Sequence, residues 1–334
     1  MIEWIEFDSP RALRDFPMGD PSKRSFPVYL PPGFSASAKG LPTVYFLAGY
    51  GSRGASYLSD DSPFGVPFAT RMDRAIEAKT LPPFVGVFPD CTSKLGHSQY
   101  LNSPSFGHYM DYLCDELVPL IEDTFGGNPT RRVLTGHSSG GFGALATALL
   151  RPGVFQAVSA SASDSFFEIS LLPMVNKALI EIEKSGGVGP FVESILSKPT
   201  ARNIGSREFE AILLLAMAAC YAPQPGKAPL HGDLFFDVQT GAILPEIWQR
   251  YVAWDPVHLI EKHPTALRAL SHLQLECGMQ DEHGLQWGHR QFAAKLRTHG
   301  IAHELVEYPG GHSGHQWRFE GRLQRLFEAV KWAP

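Results

Sequence analysis

Cysteine is scarce: the 334-residue chain has four, at positions 91, 114, 220 and 277. They form no Cys-x-x-Cys pair and no Cys/His cluster, which excludes a zinc ribbon and a disulfide-stapled scaffold. Free cysteine behaves as a small hydrophobe, so four reduced and mostly buried thiols are expected. Runs of positive charge are absent too. Lysine and arginine never stand more than two in a row, and the formal net charge is −5. A nucleic-acid partner, which needs a basic face to displace counterions, is therefore not expected. No apolar run approaches the roughly 20 residues that cross a bilayer. The most apolar stretch, Ile212 to Cys220, is far shorter. The opening MIEWIEFDSP carries Glu3 and Glu6 where a secretory signal would be basic. The expectation is a cytoplasmic protein without a membrane span. Internal repeats and low-complexity tracts are missing as well, which sets aside solenoids and disordered linkers.

Apolar residues make up 44% of the chain and charged residues 19%, enough to bury a sizeable core. Ile2 to Phe7 alternates weakly and reads as an edge strand, and Ser25 to Leu30 as a second strand stopped by Pro31-Pro32-Gly33. Pro42 to Ala48 is a continuous β-branched and aromatic run, suited to a strand buried on both faces. Phe84 to Phe88, Arg132 to Thr135, Val154 to Ala160, Leu273 to Cys277 and His303 to Tyr308 read as further strands. Between them the spacing predicts helices over Tyr109–Phe125 (with a kink at Pro119), Gly141–Leu150, Gly288–Thr298 and Arg318–Trp332. Strands alternating with helices predict an α/β protein with a mostly parallel, doubly wound sheet. The rhythm breaks between 164 and 254, where helices are expected at Leu172–Glu183, Pro190–Ser197, Arg207–Tyr221 and Pro245–Val252. The reading is a core of 1–163 and 255–334 with a helical, cap-like insertion of 164–254. That insertion would lie over the C-terminal edge of the sheet, where open α/β sheets bind ligands.

Gly136-His137-Ser138-Ser139-Gly140 is the strongest chemical signal. A G-x-S-x-G pattern is weak alone, but here it sits between a strand and a helix, the context it requires. A tight strand-to-helix turn strains the serine, needs small neighbours, and aims the oxygen at a helix N-terminus that favours negative charge. A serine hydroxyl needs a base. Among 13 histidines, His312 follows a strand and Gly310-Gly311 near the C-terminus. This fits the order Ser, acid, His. His315, three residues on, is the rival, expected at a helix start or on its solvent face. The His-x-x-His pair has no third ligand cluster beside it, so no metal is assigned. The acid should stand beyond another strand, and Asp281 does, with Glu282 as the weaker candidate. Two backbone N–H groups are expected to form an oxyanion hole: Ser139, after the nucleophile, and Tyr50, in the turn after Pro42–Ala48.

Taken together, VYLPPGF (28–34), VYFLAGYG (44–51), FPD (88–90), Asn102–Pro104, GHSSGGFGAL (136–145), CGMQD (277–281) and GGHSGHQWR (310–318) resemble the esterase D family of α/β hydrolases. That family includes S-formylglutathione hydrolases, feruloyl and enterochelin esterases and mycolyltransferases. The resemblance implies an α/β-hydrolase fold and puts nucleophile, acid and base on Ser138, Asp281 and His312. In enterochelin-esterase-like members a Trp-Arg pair follows the catalytic histidine at the spacing of Trp317-Arg318, which favours His312. Ala48-Gly49 departs from the His-Gly pair common there. The S-formylglutathione hydrolase signatures at the first turn and the catalytic histidine are absent.

The expected activity is serine carboxylic-ester hydrolysis of a small-molecule ester through an acyl-enzyme, with no cofactor. Acyl transfer with the same triad is the alternative enzyme reading, and a non-catalytic binding module on a hydrolase scaffold is the non-enzyme one. Phe166, Phe167, Phe191 and Trp248 could line an acyl pocket or pack on the sheet; packing is the expectation.

Overall fold

The run at Leu41–Leu47 (β3) is buried on both faces. Tyr45 and Leu47 join one apolar cluster, while Val44 and Phe46 join another across the sheet. This alternation in an uninterrupted apolar run is what a central strand covered by helices requires. The computed structural model describes residues 1–35, 40–58, 65–200 and 203–332. Its main sheet comprises β1 (Ile2–Asp8), β2 (Lys23–Tyr29), β3, β4 (Val85–Val87), β7 (Gly127–His137), β8 (Ala157–Ser161), β9 (His272–Gly278) and β10 (Glu304–Tyr308), in the order β1-β2-β4-β3-β7-β8-β9-β10. β1 and β2 are antiparallel to their neighbours, and all other pairs are parallel. The expected edge strand is therefore at an edge. A small hairpin of β5 (Asn102–Ser103) and β6 (Gly107–His108) stands apart.

The helices follow the expected alternation with additions. α1 (Phe68–Glu77) and α12 (Phe319–Val330) cover the face bearing Phe46, where Phe46 stacks on Phe88 at 4.7 Å between ring centres. α4 (Ser139–Leu150) is buried at every position but its last, which its Gly and Ala residues allow. α2 (Tyr109–Asp111) runs through a π-helical turn, Tyr112–Leu117, into α3 (Val118–Phe125). The single helix expected over Tyr109–Phe125 is thus interrupted just before Pro119, whose missing N–H breaks the regular bonding pattern. Between β8 and β9 lie α5 (Phe167–Ser170), α6 (Met174–Lys184), α7 (Val188–Leu196), α8 (Ser206–Tyr221), α9 (Pro245–Val252) and α10 (Pro256–Lys262), and α11 (Leu285–Thr298) follows β9. α1, α5 and α10 were not anticipated. α5 and α10 are too short for a periodic pattern, and α1 buries only Phe68 and Met72. Asp255-Pro256 was a legible start signal for α10, since the Asp255 side chain accepts from Val257 N–H. β8 begins at Ala157 rather than Val154.

Chain order places the site. From β3 the chain steps to β4 on one side, then returns to β7 on the other, so the direction of winding reverses between β3 and β7. Crevices that bind ligands open at such a point, beyond the C-terminal strand ends. Register aligns those ends: Leu47 pairs with Gly136, His137 with Ser161, Ser161 with Glu276, and Gly278 with Tyr308. The turns holding Tyr50, Ser138, Asp164, Asp281 and His312 consequently leave the sheet along one edge. Behind that edge, buried Glu276 on β9 accepts from Arg318 Nε (2.8 Å), Arg322 Nη2 (3.2 Å) and Arg325 Nη2 (2.6 Å), fastening α12 to the sheet. Among the described residues no helix is long and apolar enough to cross a membrane.

Candidate active site

Ser138 occupies a backbone conformation of φ 58, ψ −124, rarely adopted by a residue with a side chain. The turn is tight enough that a Cβ on Gly136 would sit 2.2 Å from the Gly140 carbonyl oxygen, and one on Gly140 2.0 Å from that of Leu47. No larger residue fits either place. Ser138 N–H donates to the Ser161 carbonyl (2.9 Å), which locks the turn to β8.

His312 Nε2 lies 3.1 Å from Ser138 Oγ, and its Nδ1 lies 2.8 Å from Asp281 Oδ2. With Asp281 ionised, Nδ1 carries the proton and donates it to Oδ2, leaving Nε2 free to accept from the serine hydroxyl. Asp281 is buried, and its other oxygen accepts from His283 N–H (2.9 Å). Two backbone bonds join the loops carrying acid and base: Met279 N–H to the Tyr308 carbonyl and Gln280 N–H to the Gly310 carbonyl, each 2.9 Å. Glu282, weighed as the weaker acid, has a different role: its Oε2 accepts from the backbone N–H of His312 (2.9 Å). His315 does not reach Ser138. It precedes a short 3-10 turn, and its ring packs edge-on against Tyr308, centres 4.9 Å apart. Arg318 closes the loop from the far side, lying over the Tyr308 ring at 4.0 Å while bonded to Glu276.

Burial alone would push the His312 imidazole down. The Asp281 hydrogen bond and charge, helped by Asp164 and Glu282, outweigh that and hold it above the ordinary histidine value. Asp281 shifts the opposite way: burial raises it, but the contact with His312 brings it below its usual range. The His137 ring, centred 4.7 Å from that of His312, is pushed down to about 3 by burial and by the His312 charge, so it stays neutral. A general base works only when deprotonated. A reaction that used His312 in that role would rise in kcat/KM with pH along one limb, its midpoint raised from the ordinary histidine value. Asp281→Asn should move that midpoint down, as a pH–rate profile of each protein would show.

Beside Ser138 runs the turn after β3, so close that a Cβ on Gly49 would lie 3.3 Å from Ser138 Cβ. The N–H of Tyr50 in this turn and that of Ser139 at the start of α4 have no acceptor among the described residues. The Tyr50 hydroxyl donates to the Leu95 carbonyl (2.6 Å), and its ring meets Phe209.

These groups open into a cavity of about 530 Å³, within the range of small-molecule sites. Leu171, Met174, Leu213, Met217 and Leu285 contribute its apolar walls. Phe166, Phe167, Phe191 and Trp248 do not line it; Phe167 and Phe191 are in the core, and Phe166 and Trp248 pack against it, as expected. Asp164 is a lining residue to which the sequence assigned no role. It opens the insertion expected from the sequence, yet it stands just past β8 and lines the cavity. The four cysteines are unpaired and buried. Among the described residues, one cluster has metal-ligand geometry, Glu168, Asp255 and His258, but the Asp255 oxygens already accept from three backbone N–H groups.

Comparison with known proteins gives a consistent result. Residues 21–320 match a protein family described as putative esterase. The chain is 29% identical to S-formylglutathione hydrolase of Bos taurus over 154 residues, 42% of this chain and 51% of that protein. It is 31% identical to the Mus musculus enzyme of the same name over 179 residues, 50% and 59% of the two chains. The chain thus spans about half the length of the curated relatives it matches. Among solved structures, a ferulic acid esterase superposes with a TM-score of 0.61 at 17% identity, covering 99% of this chain and 98% of the other. An S-formylglutathione hydrolase from Agrobacterium tumefaciens superposes with a TM-score of 0.58 at 19% identity, covering 99% and 95%. At those identities the likeness is one of fold: the α/β-hydrolase fold expected from the sequence.

Proposed function

The chain belongs to the putative esterase family, and from that premise we propose that it is a serine carboxylic-ester hydrolase acting through Ser138, His312 and Asp281. The observation that carries this reading is the relay itself: a serine on a strained strand-to-helix turn, 3.1 Å from an imidazole that is 2.8 Å from a buried carboxylate.

In this mechanism His312 Nε2 takes the Ser138 proton as Oγ attacks the ester carbonyl. The carbonyl π electrons move to oxygen, and the N–H groups of Tyr50 and Ser139 receive the resulting oxyanion. Asp281 stabilises the imidazolium. The tetrahedral intermediate collapses, His312 returns the proton to the leaving alkoxide, and an acyl-enzyme and an alcohol result. Water, deprotonated by His312, attacks the acyl carbonyl and releases the acid and free Ser138. The backbone donors supply much of the barrier reduction; losing one such donor costs about 10²–10³ in kcat. Residues 164–254 act as a cap: α6 and α8 wall the cavity with Met174, Leu213 and Met217 and restrict what enters.

The test is a panel of p-nitrophenyl esters of graded acyl length, with an aryl ester and a thioester, run beside covalent labelling by an organophosphate. Turnover of at least one ester and stoichiometric labelling at Ser138 are expected. Labelling without turnover, or labelling that survives Ser138→Ala, would overturn the assignment.

A further inference from the structure

We propose that Asp164 is the base of a subsite that takes a positively charged group of the ester substrate, an alkylammonium or guanidinium on an apolar stem. The inference rests on the esterase reading and names the substrate chemistry of that site.

Asp164 is 8% exposed and lines the cavity that holds Ser138 and His312. Its Oδ2 accepts from Ser139 Oγ (3.0 Å) and Gln99 Nε2 (3.3 Å), both neutral donors. Gln99 reaches it from a backbone at φ 52, a strained conformation for a residue with a side chain. Oδ1 has no hydrogen-bond partner among the described residues, and it is not among the sealed, unpartnered atoms of the interior. Asp164 lines the cavity, and Oδ1 is the oxygen left for a ligand there.

The other charges around the cavity are satisfied or exposed. Arg71 pairs with Glu320, Arg322 with Glu276, and Glu210 with Lys177. Arg53 stands exposed at the rim. No lysine or arginine among the described residues pairs with Asp164; the charges that pull on it are those of His312 and His283. A buried carboxylate held only by neutral donors lacks most of its compensation for lost water. If its purpose were only to anchor Ser139 and Gln99, an uncharged acceptor would serve at lower cost. The walls that α6 and α8 place in the same cavity, Met174, Leu213 and Met217, are apolar. A cation on a hydrocarbon stem satisfies both features, its stem against the walls and its charge on Oδ1. The neutral isostere leaves the carboxylate uncompensated, which is how such a site discriminates. Ser139 links the subsite to the chemistry, because its hydroxyl binds Asp164 while its N–H faces the developing oxyanion. Burial pushes the Asp164 carboxyl up, with Ser139 and His312 pulling it back; the charge is best read at about pH 8, where alkylamines are still protonated.

The test uses n-butylammonium and n-pentylammonium against butanol and pentanol as inhibitors of p-nitrophenyl butyrate hydrolysis. In the wild type each ammonium ion should inhibit at about tenfold lower concentration, or less, than the alcohol of equal length, a difference of about 1.4 kcal/mol or more. Asp164→Asn should bring the ratio close to one. Equal inhibition by amine and alcohol in the wild type, or a preference that persists in Asp164→Asn, would overturn the proposal. Should the variant misfold, calorimetric binding of the same four compounds to wild-type protein decides the question without turnover. Failure to hydrolyse any ester in the panel refutes the esterase reading, whereas hydrolysis without ammonium preference refutes the Asp164 subsite alone.

Discussion

Ser138→Ala is expected to lower kcat for any ester substrate on the order of 10⁴-fold or more, with the fold intact. The expectation has two parts, each with its own cause. Catalysis fails because the neighbouring Ser139 hydroxyl cannot take the place of Ser138 Oγ: it is buried and donates to Asp164 at 3.0 Å. The fold survives because, among the described residues, Oγ makes one side-chain hydrogen bond, to His312. Alanine keeps the Cβ, so the strain at φ 58 is neither added nor relieved. Unchanged circular dichroism and denaturation midpoint, together with residual turnover at the background rate, would agree with this. Near-wild-type turnover in purified Ser138→Ala would remove the nucleophile from the proposed mechanism.

His312→Ala should be almost as damaging, a loss of several orders of magnitude in kcat, whereas His315→Ala should cost no more than about tenfold. His312 makes both bonds of the relay, at 3.1 and 2.8 Å. The His315 ring nitrogens have no hydrogen-bond partner among the described residues, and its ring rests on Tyr308, so its loss affects packing and cavity shape. Asp281→Asn should fall between these limits, since the amide can present the wrong group to Nδ1 and leave the imidazole misdirected. Glu282→Gln should stay near wild type, because the amide oxygen can still accept from the His312 N–H. Steady-state kinetics of the four variants with one ester would rank them. An inactive His315→Ala with an active His312→Ala would reverse the assignment of the base.

How much of this was legible depends on the range over which each feature is specified. Ser138 could be read locally, because its requirements lie within five residues: small neighbours, a strand before and a helix after. The close approach of Gly136 and Gly140 to backbone oxygens at 2.2 and 2.0 Å is the physical reason for that pattern. His312 and Asp281 were legible only in outline. Each follows a strand, but the choice over His315 and Glu282 leaned on chain order and on the family resemblance. Glu282 looked idle because a bond from a side chain to the backbone 30 residues away leaves no mark on local composition. Asp164 was missed for a similar reason. Nothing in its own segment distinguishes a loop aspartate from one whose donors come from positions 65 residues before it and 25 residues before it.

The sequence by itself determined the alternation of strands and helices, the both-face burial of β3, the nucleophile turn and the break in rhythm after β8. All of these follow from side-chain periodicity and backbone preference among near neighbours. Tertiary structure alone decided which turns share an edge and what lines the space between them. Ser138 and His312 are 174 residues apart in the chain and 3.1 Å apart in space. That meeting is produced by strand order and register, which set β7, β8, β9 and β10 side by side and parallel and bring the turns after β7 and β10 out at the same end. The cavity walls were settled the same way: Met174, Leu213 and Met217 face it, while the more apolar Phe167 and Phe191 are spent in the core. Hydrophobicity drives a side chain out of water, but only packing decides which apolar surface stays free to meet a ligand.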